Sequence, residues 1–342
     1  MSAKKKTARK PARTSKSPAK PKKAAARPKP KTSSGMPAGV KAKDFLRVSD
    51  FSTAEIRATL DWALAWKKGK VAPRPLIDQA VGCIFHKPSL RTRQSFEAGI
   101  VRFGGHPMFI TDREIELGVR ETIADVARVM SRYLGMIVIR TFKQSDVEEL
   151  ARYATVPVIN ALTDASHPCQ IMADILTARE HLGRIDNLSV AFLGDGNNVF
   201  NSWVELAARI PMDLRLATSP QTLPDMALVE MARKEGHSKI TITHEAKEAV
   251  AGADVVYTDV WASMGQKDLA YERERLLKPF QVNTDLMKHA KATAIVMHCL
   301  PAERGREITA EVLDSKQAVV FDEAENRMWA QGAIMAQLLA RR

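Results

Sequence analysis

From about Asp44 onward, short apolar or β-branched runs alternate with longer stretches of helical periodicity. Val81–Phe85, Pro107–Ile110, Met136–Ile139, Val156–Ile159, Ser189–Leu193, Leu214–Thr218, Ile240–Ile242, Val255–Thr258, Ala294–Met297 and Ala318–Phe321 read as ten strands. Helices are expected near 53–68, 90–102, 122–134, 145–153, 169–182, 199–209, 224–235, 284–291 and 326–340. Antiparallel strands can be joined by tight turns, but parallel strands need a long crossover, usually a helix. The alternation therefore predicts an α/β chain of parallel sheets flanked by helices. Ten strands divide into two domains near the helix at 169–182. The expected organisation is a tail over 1–43, a first domain over 44–182, a second over 183–325, and a C-terminal helix over 326–342 that returns to the first domain.

In open parallel sheets ligands bind beyond the carboxyl ends of the strands. Polar clusters follow six of the expected strands. His86–Arg93 follows the first, where a strand turns into a helix; backbone N–H groups, two hydroxyls and guanidinium groups there suit a phosphate. It is not a Walker loop, because GxxxxGK[ST] is missing. Arg140 follows the third strand, and His167–Gln170 closes the stretch after the fourth. Gly194-Asp-Gly196-Asn197-Asn198-Val199 resembles the opening of a dinucleotide fingerprint, but Val199 replaces the third glycine. The following strand, Leu214–Ser219, ends without the acid that a ribose would need, which argues against a nicotinamide site. Asn197 and Asn198 can instead hold a small zwitterion, or merely make a turn and cap a helix. Asp259, in Asp259–Gly265, can hold a cationic amine or act as a cap. His298-Cys299-Leu300-Pro301 puts a thiol at a strand end, where packing competes with chemistry as its role.

Charge separates the chain into two parts. Of 52 Lys and Arg residues, 13 fall within residues 1–35, which hold no acid; this leaves 39 basic residues against 39 acidic ones in the rest. The net charge of +13 therefore belongs to the tail, not the body. The tail has no aromatic residue and no Leu, Ile or Val, so it is expected to be disordered. It can contact RNA, DNA or polyphosphate nonspecifically through counterion release, or serve only as a solvated extension. Met36, directly before the body, is an alternative start. The body of about 300 residues suits two domains of roughly 150 each. The tail lacks the apolar stretch of a secretory signal, and no run of about 18 apolar residues reads as a membrane span. Three cysteines, Cys83, Cys169 and Cys299, fit a reducing cytoplasm, and no metal-ligand spacing is present, so neither a cofactor nor a metal is expected.

Taken in order, Ser89-Leu90-Arg91-Thr92-Arg93, His167-Pro-Cys-Gln170, Gly194-Asp-Gly-Asn-Asn198, Asp259-Val-Trp-Ala-Ser-Met-Gly265, His298-Cys-Leu-Pro301 and Glu325-Asn-Arg327 resemble the motifs of the ornithine carbamoyltransferases. The resemblance runs from about Asp44 to the C-terminus and leaves the tail outside. It implies transfer of the carbamoyl group of carbamoyl phosphate to the δ-amine of L-ornithine, giving L-citrulline and phosphate, in arginine biosynthesis or, in reverse, arginine catabolism. The first domain would then bind carbamoyl phosphate and the second ornithine. By the same resemblance Ser89, the Leu90 amide, Arg91, Thr92 and Arg140 bind the phosphate, and Thr92, Arg140 and His167 polarise the carbonyl oxygen. Gln170, the Cys299 and Leu300 carbonyls and Arg327 hold the carbamoyl NH2 side. Asn198, Asp259, Ser263 and Met264 position ornithine, with Cys299 beside the reacting amine and no covalent intermediate.

The family also forms trimers, or multiples of trimers, in which a loop reaches the neighbour's phosphate site. The matching loop is Ile115–Glu121, with Glu116 where many relatives carry Gln or His. Aspartate carbamoylation fits less well, because that branch lacks the Ser-Met-Gly and His-Cys-Leu-Pro signatures. Putrescine carbamoylation is the nearer alternative, and polyanion binding through the tail is the alternative of a different class.

Overall fold

The structure is a computed structural model that describes residues 36–71, 73–261 and 270–340. Residues 1–35 of the expected tail, Ser263 and Met264 lie outside the described residues. The last stretch of that tail, 36–43, is described, and there Val40 is buried in the core and Lys43 donates to the Ala154 carbonyl at 2.9 Å. Strands β1 (Ala80–Phe85), β2 (His106–Thr111), β3 (Met136–Arg140) and β4 (Val158–Leu162) form a parallel sheet in the order β2-β1-β3-β4. Strands β5 (Leu188–Leu193), β6 (Met212–Ala217), β7 (Lys239–Thr243), β8 (Val255–Thr258) and β9 (Ile295–His298) form a second, in the order β7-β6-β5-β8-β9. Around the first sheet run α1 (Thr53–Lys67), α2 (Leu90–Arg102), α3 (Asp112–Ile115), α4 (Ile123–Tyr133), α5 (Gln144–Tyr153) and α6 (Pro168–Leu182). With the second are α7 (Asn198–Ala207), α8 (Met226–Glu235), α9 (Ala246–Val250), α10 (Ala270–Leu277), α11 (Thr284–Met287) and α12 (Ala310–Leu313). The last helix, α13 (Val320–Ala340), packs on α1, α2 and α6. This is the expected two-domain α/β architecture.

Each sheet has a point where its strand order reverses. In the first, the chain leaves β1 toward β2 on one side and reaches β3 on the other; in the second, β5 has β6 on one side and β8 on the other. Connections diverge at such a point and open a crevice at the carboxyl ends of the two strands. Two helices cross between the sheets. Pro168 starts α6 where a missing N–H costs nothing, and Gly183 ends it in the left-handed region at φ +72°. Every residue of α6 from Pro168 to Ala178 is buried, because elements of both domains cover it. Along α13, Trp329 meets Trp66 of α1 edge to face at 4.9 Å, which ties the C-terminal helix to the first domain.

The tenth expected strand is corrected. Ala318 makes one isolated bridge to Val296, and the chain then enters α13 at Val320, six residues before the helix expected from 326. Four apolar residues cannot distinguish a strand from a buried helix start, and Asp322 and Glu323 suit the first turn of a helix. The fourth strand begins after Pro157, which has no N–H to give to a ladder, and so runs later than expected. The helix expected over 284–291 is a single turn, Thr284–Met287.

Candidate active site

The first crevice is lined by the start of α2 and the end of β3. Ser89 caps α2, its hydroxyl accepting from the Thr92 N–H at 3.3 Å. Thr92 is fully buried, and its hydroxyl oxygen accepts from Arg140 Nη1 at 3.2 Å and from Arg327 Nη2 at 2.6 Å. Arg327 comes from α13, so the C-terminal helix completes the first domain's crevice. Among the described residues, Arg91, Arg140 and Arg327 have no ion pair with a carboxylate. Burial and then the neighbouring Arg327 push the Arg140 guanidinium down to about 10, so it stays charged at neutral pH. Arg327 is lowered as well, first by burial. The arrangement is a preformed seat for an anion. Arg93 faces away, paired with Glu97 at 2.9 Å and stacked on Phe109. Lys87 likewise pairs with Asp164.

His167 precedes α6, and its N–H donates to Ser202 Oγ on α7 at 2.8 Å. Burial, then Arg327 and Arg140, hold its imidazole well below the usual histidine range, so it is neutral. Its Nδ1 is buried without a partner, as is Gln170 Oε1 one turn along α6. Neutral donors and acceptors therefore sit beside the guanidinium groups.

The second crevice lies beyond β5 and β8. Gly194 adopts φ +122°, and a Cβ at Gly196 would sit 2.4 Å from the Pro224 backbone nitrogen. Both glycines are thus required by the turn itself, which explains the resemblance to a dinucleotide fingerprint without a dinucleotide. The turn lets Asn197 cap α7 and donate from Nδ2 to Asp259 Oδ2 at 2.8 Å. Asp259 Oδ1 accepts from its neighbour's N–H, Val260, at 2.8 Å and from Cys299 Sγ at 3.0 Å. Burial, then the adjacent Asp259 charge, push the Cys299 thiol well up, so it is a hydrogen-bond donor and not a nucleophile. Asn198 Nδ2 donates to the Thr163 carbonyl at 2.7 Å, across the domain boundary.

The Cys299–Leu300 turn has its own support. The Leu300 N–H donates to His298 Nδ1 at 2.9 Å, while His298 Nε2 lies 3.1 Å from Glu307 Oε1, both side chains fully buried. An acceptor at Nδ1 places the imidazole proton on Nε2, facing the carboxylate. Asp259, His298 and Cys299 bring ligand-type atoms within 4.8 Å of one another, so they could hold a soft cation. Such an ion would have to displace these hydrogen bonds.

The two crevices meet. The Cys299 sulfur lies within electrostatic reach of both Arg140 and Arg327. Ser89, Thr92, Arg140, His167, Gln170, Asp259, Cys299 and Arg327 thus belong to one cleft built from both domains. Sequence reasoning did not single out Asp174, Ser202, Glu307 or Glu323. Asp174 is one turn beyond Gln170 and Glu323 one turn before Arg327, so helical spacing from the named residues was the available signal.

The fold and cleft define a two-domain α/β transferase class, and the chain belongs to the aspartate/ornithine carbamoyltransferase family. The family's carbamoyl-P binding domain matches residues 43–180, and its Asp/Orn binding domain matches residues 186–338. Within that family the chain is 50% identical over 311 residues to the ornithine carbamoyltransferase of Carboxydothermus hydrogenoformans, covering 89% of this chain and 100% of that one. It is also 50% identical over 303 residues to the chloroplastic ornithine carbamoyltransferase of Pisum sativum, covering 87% and 81%. The ornithine carbamoyltransferase structure from Pyrococcus furiosus superposes with a TM-score of 0.82 at 44% identity, over 88% of this chain and 97% of that one. The anabolic enzyme of Campylobacter jejuni gives 0.84 at 34% identity, over 88% and 100%.

Proposed function

We infer that this chain is an ornithine carbamoyltransferase, moving the carbamoyl group of carbamoyl phosphate to the δ-amine of L-ornithine to give L-citrulline and phosphate. One observation carries the assignment of the donor half: two buried guanidinium groups, Arg140 and Arg327, converge on the neutral Thr92 hydroxyl. Buried charges are normally paired. A pair of arginines left without a carboxylate is suited to a ligand that brings its own negative charge.

The roles follow from charge development. The δ-ammonium of ornithine gives up one proton to solvent, and the neutral amine attacks the carbamoyl carbon. A C–N bond forms, the C–O bond to phosphate breaks, and the departing phosphate takes the proton that the new C–N nitrogen sheds. Negative charge grows on the carbonyl oxygen and on the departing phosphate. Ser89, the Leu90 amide, Arg91, Thr92 and Arg140 hold the phosphate. Thr92, Arg140 and neutral His167 donate to the carbonyl oxygen; preorganised donors of this kind are each worth about 10²–10³ in rate. Gln170, the Cys299 and Leu300 carbonyls and Arg327 take the carbamoyl NH2 side. Asn198, Asp259, Ser263 and Met264 hold ornithine, with the Asp259 carboxylate drawing the amine toward the carbon. The Cys299 thiol donates to Asp259 and so keeps that carboxylate in position.

Residues 44–182 and the stretch from 183 to the start of α13 are the two substrate domains in this reading, with α13 (Val320–Ala340) returning to the first. A homotrimer, or a multiple of it, is supported by the projecting loop at 115–121. There Val119 is 85% exposed, and Arg120 lies 3.7 Å from Glu121 rather than against the exposed Glu116. Cross-linking or sedimentation of the intact chain tests it. No helix of the described residues is long and apolar enough to cross a membrane. The three free cysteines support a reducing compartment, the cytoplasm. Nonspecific polyanion contact by the basic tail is tested by comparing residues 1–342 with 36–342 at low and moderate salt; equal affinities would eliminate it.

The deciding experiment is citrulline formation by the purified chain, with ornithine omitted as control. Faster turnover of putrescine than of ornithine would replace the substrate assignment, and no carbamoyl transfer to either amine would overturn it.

A further inference from the structure

We propose that Asp174 and Glu323, one from each helix that crosses between the domains, are positioning residues that orient the Gln170 side chain and so make the site select a donor bearing an NH2 group. The inference rests on the carbamoyl phosphate reading above and adds to it the origin of donor specificity.

All four side chains of the cluster, Gln170, Asp174, Tyr257 and Glu323, are fully buried. Gln170 Nε2 donates to Asp174 Oδ1 and to Glu323 Oε1, each at 2.8 Å. Both amide hydrogens are thereby used. Reversing the amide would turn its oxygen toward two carboxyl oxygens, so its orientation is set by chemistry. The remaining polar atom, Gln170 Oε1, is buried without a partner. It can only accept. The NH2 of a carbamoyl group supplies a donor; the methyl of an acetyl group, otherwise similar in shape, does not.

Glu323 is held in turn. Its Oε1 also receives the Tyr257 hydroxyl at 3.4 Å, and its Oε2 receives the His298 N–H at 2.9 Å. Asp174 Oδ2 has no donor of its own. Burial raises both carboxyl groups above their usual range, and the two sit close enough to titrate together. The Glu323 carboxyl group therefore links α13, α6 and the end of β9.

Replacing Glu323 by glutamine keeps the shape but puts an NH2 where an acceptor is needed. On one side it would face Gln170 Nε2 and the Tyr257 hydroxyl, on the other the His298 N–H. Asp174→Asn keeps one acceptor for Gln170 and offers a donor to Glu323, so it is the milder change. Leaving a buried polar group unsatisfied costs roughly tenfold or more in affinity.

The test compares carbamoyl phosphate KM with the inhibition constants of acetyl phosphate and inorganic phosphate, in the full chain. Glu323→Gln should raise the carbamoyl phosphate KM about tenfold or more and leave both inhibition constants within twofold. Asp174→Asn should lose less than Glu323→Gln. Equal weakening of all three ligands in Glu323→Gln would show a merely structural role and overturn the proposal, as would an unchanged preference for carbamoyl over acetyl phosphate. If Glu323→Gln does not fold, Asp174→Leu removes one of the two acceptors; a carbamoyl-to-acetyl preference reduced at least threefold supports the proposal and an unchanged one overturns it. Failure of the unaltered chain to form citrulline would sink the functional reading instead, a result separate from these ratios.

Discussion

Replacing Asp259 by asparagine tests the amine half of the cleft with two independent readouts. The carboxylate accepts from Asn197 Nδ2 at 2.8 Å, Val260 N at 2.8 Å and Cys299 Sγ at 3.0 Å. An asparagine keeps one oxygen for Val260 but turns its NH2 toward the Asn197 NH2, two donors facing each other. That mismatch costs about 1–3 kcal/mol. The lost charge matters more. At an effective dielectric of about 20, unit charges 4 Å apart interact by about 4 kcal/mol. If a third to a half of this is realised on the amine, kcat/KM for ornithine falls about tenfold to thirtyfold from charge alone, before the misalignment is added. The KM for carbamoyl phosphate should change little, because the hydrogen bonds of Asp259 go to Asn197, Val260 and Cys299 and not to Thr92 or its arginines. The second readout is the thiol. Asp259 is the largest charge holding the Cys299 thiol up, second only to burial, so Asp259→Asn should make Cys299 alkylate faster with iodoacetamide at fixed pH. Cys83 and Cys169, buried and pushed up to about 12, provide unreactive internal controls. Unchanged ornithine kinetics together with an unchanged alkylation rate would refute the placement of Asp259 at the amine.

Arg91→Ala should lower kcat/KM for carbamoyl phosphate about 10²–10³-fold in steady-state assays, and near-normal values would refute its role. Gly332→Ala on α13 should destabilise the fold despite the roughly 1 kcal/mol that alanine gains in a helix. The new Cβ would meet the Trp66 ring at 2.1 Å, and overpacking costs about 1–3 kcal/mol; a raised denaturation midpoint would contradict the packing. Glu205 is pushed up to about 7 by burial, despite the Val48 N–H it accepts at 2.9 Å. Above an ordinary value near 4.3 the unfolded chain loses this proton while the folded chain keeps it, so the group removes stability as pH rises until it ionises in the fold near 7. Chemical denaturation at pH 4.5 and pH 8 should therefore show Glu205→Gln losing about 2–3 kcal/mol less than the parent across that window, and parallel pH profiles would refute it.

Strand interiors were legible because β-branched runs with helical connections permit few arrangements. The polar residues that follow them were legible for the same reason, since strand ends are where a parallel sheet presents chemistry. Ala318–Phe321 was misread because four apolar residues fit a strand or a helix equally well, and the tertiary choice fell to Asp322 and Glu323 at the helix start. Asp174 and Glu323 went unnoticed for a different reason. In sequence they are ordinary acids on helices, and only the crossing of α6 and α13 removes them from water together. Glu307 is similar: its role depends on His298, nine residues away in the chain but 3.1 Å away across the turn. Sequence motifs mark the groups that touch a ligand; the groups that aim them are marked by contacts between distant segments.

The cleft also separates its charges in a way the reaction requires. Positive charge is concentrated on the α2 side, where Arg140 and Arg327 meet Thr92 without a carboxylate, and a negative charge stands across the cleft at Asp259. Between them the titratable groups are uncharged: His167 is neutral and Cys299 is a thiol. A cationic imidazole there would compete with the arginines for the phosphate and repel an incoming ammonium. A thiolate would attack the carbamoyl carbon before the amine could. The same burial that keeps both groups neutral sharpens the field of the arginines, since charges interact more strongly away from water. The 13 basic residues of the tail play no part in this balance. What directs a small dianion into the cleft is a few buried guanidinium groups left unpaired, and what protects the amine's attack is that His167 and Cys299, between them and Asp259, carry no charge.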